Sequence, residues 1–241
     1  MPRNIRWNKA RLRAAQAFGR IFIAVFLSGC LILLGSVPAR AADLPTVTFT
    51  LDFPGSDPDH YSISAQSDGR GHFECSARIS SDSNDHEDYQ ADFSLTDATR
   101  ARIFDLAAQA DYFAGKIDSG KRKLAFTGAK KLAYKDDQRN FVGQYNFSTK
   151  PAVQELTALF QSLAATLDFG RRLAFYHRYQ KLALDDELKR MEDQARRGDL
   201  VELQALKPAL QAIYDDPSVI NIVRARAQRI MEMSQNASPR Q

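Results

Sequence analysis

Residues 46–53, which read Thr-Val-Thr-Phe-Thr-Leu-Asp-Phe, decide the fold class of this chain. Apolar and polar side chains alternate strictly along the stretch, which is typical of a β-strand buried on one face only. Turn-forming residues at 54–59 and 67–71 bound a second stretch with the same alternation, and residues 73–79 then return. The pattern therefore predicts a mainly antiparallel sheet that begins with hairpins.

Strand and helix patterns alternate after this hairpin until about residue 147. The elements predicted there are a polar loop at residues 80–88, a strand at 89–95, a helix at 96–110 capped by Thr96, a second hairpin made of residues 124–127 and 131–135 around Gly128, and a last strand at 141–147.

From Pro151 onward the hydrophobic period changes from 2 to 3.6, which indicates helices. A first helix is predicted over residues 151–167, and Phe169-Gly170 interrupts its apolar stripe. We expect the helix to break at this pair. The helices predicted beyond it cover residues 171–197 with a C-cap at Gly198, residues 200–214, and residues 217 to about 233.

These elements predict an α+β fold. A mainly antiparallel sheet of five or six strands has the helices at 96–110 and 151–167 packed on one face, and a helical C-terminal appendage follows. The predicted division of the chain is a signal peptide at residues 1–41, an α+β domain at 42–168, a helical tail at 169–233 and a disordered C-terminus at 234–241.

The first 41 residues carry the three parts of a secretory signal. Residues 1–20 hold six basic and no acidic side chains, residues 21–34 are uncharged and mostly apolar, and the chain then reaches Ala39-Arg40-Ala41. We predict cleavage near Ala41 and a mature protein that is periplasmic or secreted.

Two alternatives for this segment stay open. Leu27-Ser28-Gly29-Cys30 is similar to a lipobox, which predicts a lipid anchor on Cys30. Residues 21–37 also fit an uncleaved membrane anchor, although their apolar run is shorter than the roughly 20 residues of an ordinary span. In every case the chain after residue 41 lies outside the cytoplasmic membrane. It contacts the membrane only if Cys30 is lipidated or the signal is retained.

The export segment accounts for the basic character of the sequence. It holds seven basic and no acidic side chains, so its removal lowers the net charge from +4 to −3. Residues 42–168 have a net charge of −6, and residues 169–241 have a net charge of +3. We therefore expect no nucleic-acid partner.

Cysteine and histidine patterns predict no disulfide within the mature chain and no metal or cofactor site. Cys75 is the only cysteine after residue 41, and its phase with Phe73 and Ala77 predicts a buried thiol. The four histidines form no close metal-binding pair. The acidic loop at residues 82–88 has the early oxygen spacing of a calcium loop but not its glycine or its last glutamate. We expect no catalytic, cofactor-binding or metal-binding residue.

A set of short motifs resembles a known group of proteins. The residues that carry the resemblance are 59–64 (Asp-His-Tyr-Ser-Ile-Ser), Asp68-Gly69, Phe73-Glu74 and a helix ending in Ala110-Asp111-Tyr112-Phe113. They resemble a family of exported or lipid-anchored bacterial proteins that has no assigned activity. The resemblance covers residues 46–165 and implies one small α+β domain with hairpins around a helix. Asp59-His60 stands where many members have Cys-Pro, and no site residue is implied.

Three functions are compatible with these residues. The one we favour is a non-enzymatic binding module of the cell envelope, whose amphipathic helical tail contacts an envelope protein or a second copy of the chain. The second is a divergent periplasmic hydrolase that uses Asp57, Asp59 or His60. The third is an anionic polymer or lipid-surface binder that uses the basic residues between Lys121 and Lys135.

Overall fold

The computed structural model describes residues 43–78, 85–121 and 123–236. Within these residues the fold is α+β, as the sequence predicts, with six strands in one antiparallel sheet and five α-helices. The strands are β1 (Thr46–Asp52), β2 (His60–Gln66), β3 (Arg70–Arg78), β4 (His86–Ser94), β5 (Ala129–Lys135) and β6 (Asn140–Tyr145). The helices are α1 (Asp97–Gln109), α2 (Pro151–Tyr179), α3 (Leu184–Arg197), α4 (Lys207–Asp215) and α5 (Asn221–Asn236). The predicted signal at residues 1–41 lies outside the described residues.

The sheet is built on β1. Three successive hairpins give the order β4-β3-β2-β1, and the β5–β6 hairpin joins the other side of β1. Phe49 on β1 pairs with Ile63 on β2 and with Leu132 on β5, so the apolar residues of neighbouring strands share one face. We call this the inner face, and the opposite polar face the outer face.

Helices α1 and α2 cover the inner face. Phe160 of α2 stacks on Phe49 with ring centroids 5.5 Å apart, and Ile103 and Leu106 of α1 are buried in the same core. Thr96 accepts a hydrogen bond from the Thr99 N–H, which confirms it as the N-cap of α1. The alternation of β1 therefore directs its apolar side chains against both helices.

The predicted strand at residues 124–127 is wrong. The second hairpin joins β5 to β6 instead, through a turn in which Asp136 accepts the backbone N–H groups of Gln138 and Arg139 at 2.8 and 2.6 Å. Gly128 has a φ of +95°, and a Cβ there would lie 2.6 Å from a methyl carbon of Leu51. This close approach removes residues 124–128 from the ladder.

The predicted loop at residues 80–88 is partly wrong. Residues 79–84 lie outside the described part of the chain, whereas β4 begins at His86, three residues earlier than the predicted strand. Pairing with the full length of β3 extends this strand into polar sequence, because Arg78 pairs with His86.

The predicted helix break at Phe169-Gly170 is also wrong. α2 continues without interruption to Tyr179, and both residues are buried inside it. A Cβ on Gly170 would lie 2.7 Å from a methyl carbon of Leu206, so this glycine allows the following helices to approach α2. The chain breaks instead between Tyr179 and Leu184, where Lys181–Ala183 form a 3₁₀ turn.

The predicted helix at residues 200–214 starts later than expected. A 3₁₀ turn at Leu203–Leu206 precedes α4, because Glu202 adopts a left-handed conformation with a φ of 57°. The last helix begins at Asn221 instead of residue 217. Gly198 ends α3 with a φ of 77°, as predicted.

Two hydrophobic clusters meet inside α2. The sheet, α1 and the part of α2 up to Leu167 form one cluster, while Phe169, Leu173 and the helices α3 to α5 form the other. All described residues nevertheless belong to one compact unit that begins at Asp43.

Buried polar contacts join the two clusters. The Glu202 carboxylate accepts hydrogen bonds from the Thr96 N–H at 2.8 Å and from the Thr96 hydroxyl at 2.7 Å. The Thr166 hydroxyl donates to the Val201 carbonyl at 2.7 Å. The helical tail therefore completes the N-terminus of α1 and packs firmly against the α+β region.

Candidate functional site

The residues of the predicted hydrolase alternative lie in separate surroundings. Asp57 belongs to an exposed turn, where it accepts the Arg78 N–H at 3.2 Å. Asp59 has an oxygen 3.8 Å from Nδ1 of His86. The His60 side chain lies on the outer face, hydrogen-bonded through Nδ1 to Asp52. The turn and the start of β4 thus approach each other at Asp59 and His86.

The outer face carries two histidine–aspartate pairs. His60 pairs with Asp52, and His72 binds Asp92 through Nδ1 at 2.6 Å. A shallow cavity of about 340 Å³ lies beside His72, and Gln66 contributes a buried amide oxygen without a hydrogen-bond partner in the described structure. Sequence reasoning missed these pairs because each one depends on the strand register.

Each of these histidines has a serine as its cross-strand neighbour. Ser76 is opposite His60, and Ser64 is opposite His72, so the order of groups across the strands is serine, histidine, aspartate. The aspartates are solvated, with the Asp92 side chain 88% exposed, whereas the aspartate of a catalytic triad is buried. The exposed pairs are therefore weak support for catalysis.

Cys75 is buried, as predicted. Its side chain is on the inner face of β3, and burial, with a contribution from Asp168, raises the pKa of its thiol to about 12. His72 lies on the outer face of the same strand. A thiol in these surroundings is a poor nucleophile.

Of the lysines between Lys121 and Lys135, the three on β5 are divided between the two faces of the sheet. Lys131 and Lys135 are exposed on the outer face, which follows from the alternation of β5. Lys130 points to the inner face and is only 6% exposed. The alternation of side chains along β5 therefore places Lys130 on the opposite face from Lys131 and Lys135.

Lys130 is a buried cation surrounded by neutral oxygens. Its Nζ donates to the carbonyls of Thr127 at 2.9 Å, Asn146 at 3.1 Å and Gly128 at 3.3 Å, and to the Thr127 hydroxyl at 2.8 Å. No carboxylate in the described residues forms an ion pair with it. Burial lowers the pKa of its ammonium group.

Lys130 lines a cavity that opens between α2 and the ends of β5 and β6. The cavity has a volume of about 430 Å³. A second cavity of about 290 Å³ lies further along α2, at the ends of β1 and β2. Gln161 lines both, and we refer to the two together as the α2 groove. Antiparallel pairing places the end of β1, the start of β2, the start of β5 and the end of β6 at the same end of the sheet. α2 can therefore border the whole groove.

The two ends of the α2 groove differ in charge. Lys130 lies at the end nearest the start of α2, with Gln154 and the exposed ring of Phe147. Asp57, Asp168 and Arg172 line the other end. Asp168 is buried and already paired with Arg172 and with Arg171, the latter at 2.8 Å, whereas Asp57 is exposed.

Two hydroxyl groups beside Lys130, those of Tyr145 and Thr157, are hydrogen-bonded to each other. The Thr157 hydroxyl donates to the Val153 carbonyl at 2.6 Å, so the Tyr145 hydroxyl, 2.5 Å from Thr157, donates to it. Burial raises the pKa of Tyr145 to about 12. Neither hydroxyl is activated for attack on a ligand at neutral pH.

The described residues contain no group of three or more histidine, cysteine, aspartate or glutamate side chains arranged to hold a metal ion. Asp82 and Asn84 of the predicted calcium-like loop lie outside them, while Asp88 is on β4. The polar side chains of the α2 groove therefore define its chemistry.

A second exposed feature lies where α2 ends. Tyr179, Leu182, Ile220 and Ile222 are exposed there, and Leu182 is 90% exposed. Lys181 donates to Asp216 at 2.6 Å, and Arg226 bonds to Asp185, so the start of α5 lies beside the α2–α3 turn. We call these four apolar residues the tail tip.

No protein-family model matches the chain, and no curated protein shows significant similarity to it. In the part of the chain that the structure describes, no helix has both the length and the hydropathy needed to span a bilayer.

Proposed function

We propose that this chain is an exported, non-enzymatic binding module that holds an anionic group of its ligand at Lys130 in the α2 groove. The observation that carries the proposal is the buried Lys130 ammonium, which is 6% exposed and whose hydrogen-bond partners among the described residues are all neutral oxygens. The proposal makes the binding module favoured by the sequence more specific. It also uses Lys130, one of the basic residues that the sequence offers for binding an anionic polymer or lipid surface.

A buried cation without a counter-ion is costly. Carbonyl and hydroxyl oxygens replace part of the water that an ammonium group loses, but they do not neutralise its charge. A ligand carboxylate or phosphate in the groove would supply that charge in a partly desolvated place, where the attraction exceeds that between exposed groups. The groove cavities also have the size of ordinary ligand pockets.

Export is the second part of the proposal. The predicted signal at residues 1–41 would carry the α2 groove into the periplasm or the medium, so its ligand would be a molecule of the cell envelope or of the surroundings. The absence of a cysteine other than Cys75 after residue 41 is compatible with either compartment.

The test compares two ligands of the same shape and different charge. Butyrate and butyramide are added separately at constant ionic strength, and the melting temperature is measured by calorimetry. At ten times its Kd, butyrate should stabilise the protein by about 1.4 kcal/mol, or about 3–5 °C, and butyramide should have a smaller effect. Equal effects of the two compounds would contradict the proposal.

Two lysine variants locate the effect. Lys130→Gln keeps a hydrogen-bond donor but removes the charge, so the butyrate effect should disappear. Lys131→Gln is the matched control, because Lys131 is the next residue of β5 and lies exposed on the outer face. Loss of the butyrate effect in both variants would point to non-specific charge instead of the groove.

The tail tip favours a second candidate function, which is self-association. Its four apolar residues are flanked by the exposed side chains of Arg178 and Asp186, and a patch with charges of both signs can pair with its own copy about a two-fold axis. We propose a second copy of this chain as its occupant.

Molecular mass in solution tests this second proposal. Leu182→Ser and Ile222→Ser should shift a dimer to a monomer in sedimentation experiments, while Ala212→Ser on the exposed side of α4 should not. A wild-type protein that is monomeric at high concentration would contradict it.

A further inference from the structure

We infer that the α2 groove takes an extended peptide, with the C-terminal carboxylate at Lys130 and the N-terminal part near Asp57. This inference rests on the proposed function and adds the chemical class and direction of the ligand. It is carried by the length of the groove, by the amide side chains along it and by the difference in charge between its ends.

The groove is long enough for several residues. Gln154 and Asp168 of α2 line its two ends, and at 1.5 Å per residue they are about 21 Å apart along the helix. An extended chain advances about 3.3–3.6 Å per residue, so roughly six residues span the groove.

Amide groups along the groove match a peptide backbone. Gln154, Gln161 and Gln194 line it at the Lys130 end, the centre and the Asp57 end, respectively. Each glutamine side chain carries both donor and acceptor atoms, as each peptide unit does. Gln154 already donates through Nε2 to the Ser148 carbonyl at 2.8 Å. An acyl chain would offer no hydrogen bond to the amides of Gln161 and Gln194 and is therefore the poorer occupant.

Small and aromatic residues complete this match. Ala158, Ala164 and Ala165 border the groove on α2 and let a ligand backbone approach the helix. The half-exposed rings of Phe53 and Phe147 lie at different points along it, where they can contact apolar side chains of the ligand.

The charges fix the direction. Lys130 is the cation at one end, and a terminal carboxylate would take the place of one of the neutral oxygens that its three N–H groups now contact. At the other end Asp57 is an exposed carboxylate, while Asp168 is already neutralised by Arg171 and Arg172. A free amino terminus or a basic side chain therefore complements Asp57.

The experiment uses two pools of random hexapeptides that differ only at the C-terminus. One pool has free carboxylates and the other has amides, and each is equilibrated with the full chain as recovered from its host. Bound peptides are identified by mass spectrometry. Free-acid peptides should be retained, and the amide pool should be retained about tenfold less, because the charged contact to Lys130 is lost.

Each outcome decides between the two proposals. Equal retention of both pools would overturn the peptide direction. Decanoate stands for an anionic acyl chain in this comparison. If butyrate and decanoate bind while no peptide is retained, the ligand is not a peptide and the groove binds anions of another class. If neither butyrate nor peptides bind, both the inference and the proposed function are wrong.

Variants test the far end without relying on Lys130. Asp57→Asn should lower the retention of all peptides with a free amino terminus, and most strongly of those that also carry a basic N-terminal residue. Asp59→Asn is the matched control, since Asp59 belongs to the same turn and does not line the groove. The same loss in both variants would overturn the assignment of Asp57.

Discussion

Glu192 is a buried carboxylate held by arginines from two helices. Oε1 accepts from Arg196 at 2.7 Å and from Arg229 at 3.1 Å, and Oε2 lies 3.3 Å from Arg226. The hydrogen bond from Arg229 is the largest of the effects that lower the pKa of Glu192 to about 2. Because its pKa in the unfolded chain is higher, the ionised carboxylate stabilises the fold at neutral pH.

Replacing this carboxylate should make the stability depend on pH in a defined window. Glu192→Gln should cost about 2–3 kcal/mol of unfolding free energy at pH 7. The difference from wild type should decrease as the pH falls from about 4.5 towards 2, where the wild-type carboxylate becomes protonated. Urea unfolding at several pH values measures it.

The neighbouring carboxylate provides the control. Asp193 is exposed on the same helix, and Asp193→Asn should change the unfolding free energy by less than about 0.5 kcal/mol. A pH-independent loss in Glu192→Gln would show that its packing, and not its charge, stabilises the protein.

Cys75 should be unreactive in the folded protein. With a pKa of about 12, its thiolate fraction at pH 8 is roughly 10⁻⁴, and its side chain is buried. An alkylating reagent, followed by peptide mapping, should label it only after unfolding in denaturant. Rapid labelling in native buffer would indicate that β3 opens or that the thiol is accessible.

At the scale of single residues, alternation predicted some side chains and missed others. The burial of Cys75 follows from its phase with Phe73, and this prediction is confirmed. The same rule applies to Lys130, but the second strand of the predicted hairpin began at Lys131 and left Lys130 outside it, whereas β5 begins at Ala129. Its burial became evident only when the pairing of β5 with β1 fixed the strand boundary.

At the scale of elements, β3 and β4 pack closely because the Phe93 ring of β4 lies over Gly71 of β3. A Cβ on Gly71 would lie 2.3 to 2.8 Å from three ring carbons of Phe93, which is opposite it on β4. The Phe93 ring therefore lies directly over the space that a methyl group on Gly71 would occupy.

Gly71→Ala should therefore destabilise the sheet. We expect a loss of about 1–3 kcal/mol, because the added methyl forces Phe93 out of its position. The variant Gly71→Ala/Phe93→Leu should recover part of this loss, since it removes the ring that clashes. Calorimetric melting measures both, and an unchanged melting temperature in Gly71→Ala would contradict the close packing.

Contacts between elements also explain why two of the helix predictions are wrong. Phe169-Gly170 has the composition of a helix end, but its small residue serves helix packing because Leu206 occupies the adjacent space. The start of α4 is delayed because Glu202 leaves the helical conformation to bind Thr96. Neither contact is local in sequence, so neither can be derived from a window around these residues.

Across the whole molecule, Glu202 couples the helical tail to the α+β region. It is buried and satisfies the Thr96 N–H and hydroxyl at the start of α1. Glu202→Ala should lower the unfolding free energy by about 1–3 kcal/mol, because these buried donors lose their acceptor. Wild type should unfold in one calorimetric transition.

The form of the transition distinguishes coupling from local stability. If Glu202 and Thr166 join the two clusters, Glu202→Ala should shift the single transition or separate it into two. Asp199→Asn, an exposed position three residues earlier, is the control and should leave the transition unchanged. Two transitions in wild type would mean that the helical tail unfolds independently.

The sequence by itself determined the α+β class, the antiparallel hairpins and the helical C-terminal region, because period 2 and period 3.6 are local properties of the chain. It also predicts the export signal, whose parts are contiguous. Only the tertiary structure decided the α2 groove, since its walls come from four strand ends and a helix that are distant in sequence. The same holds for Lys130, because the elements packed around it bring neutral oxygens, and no carboxylate of the described residues, to its ammonium group.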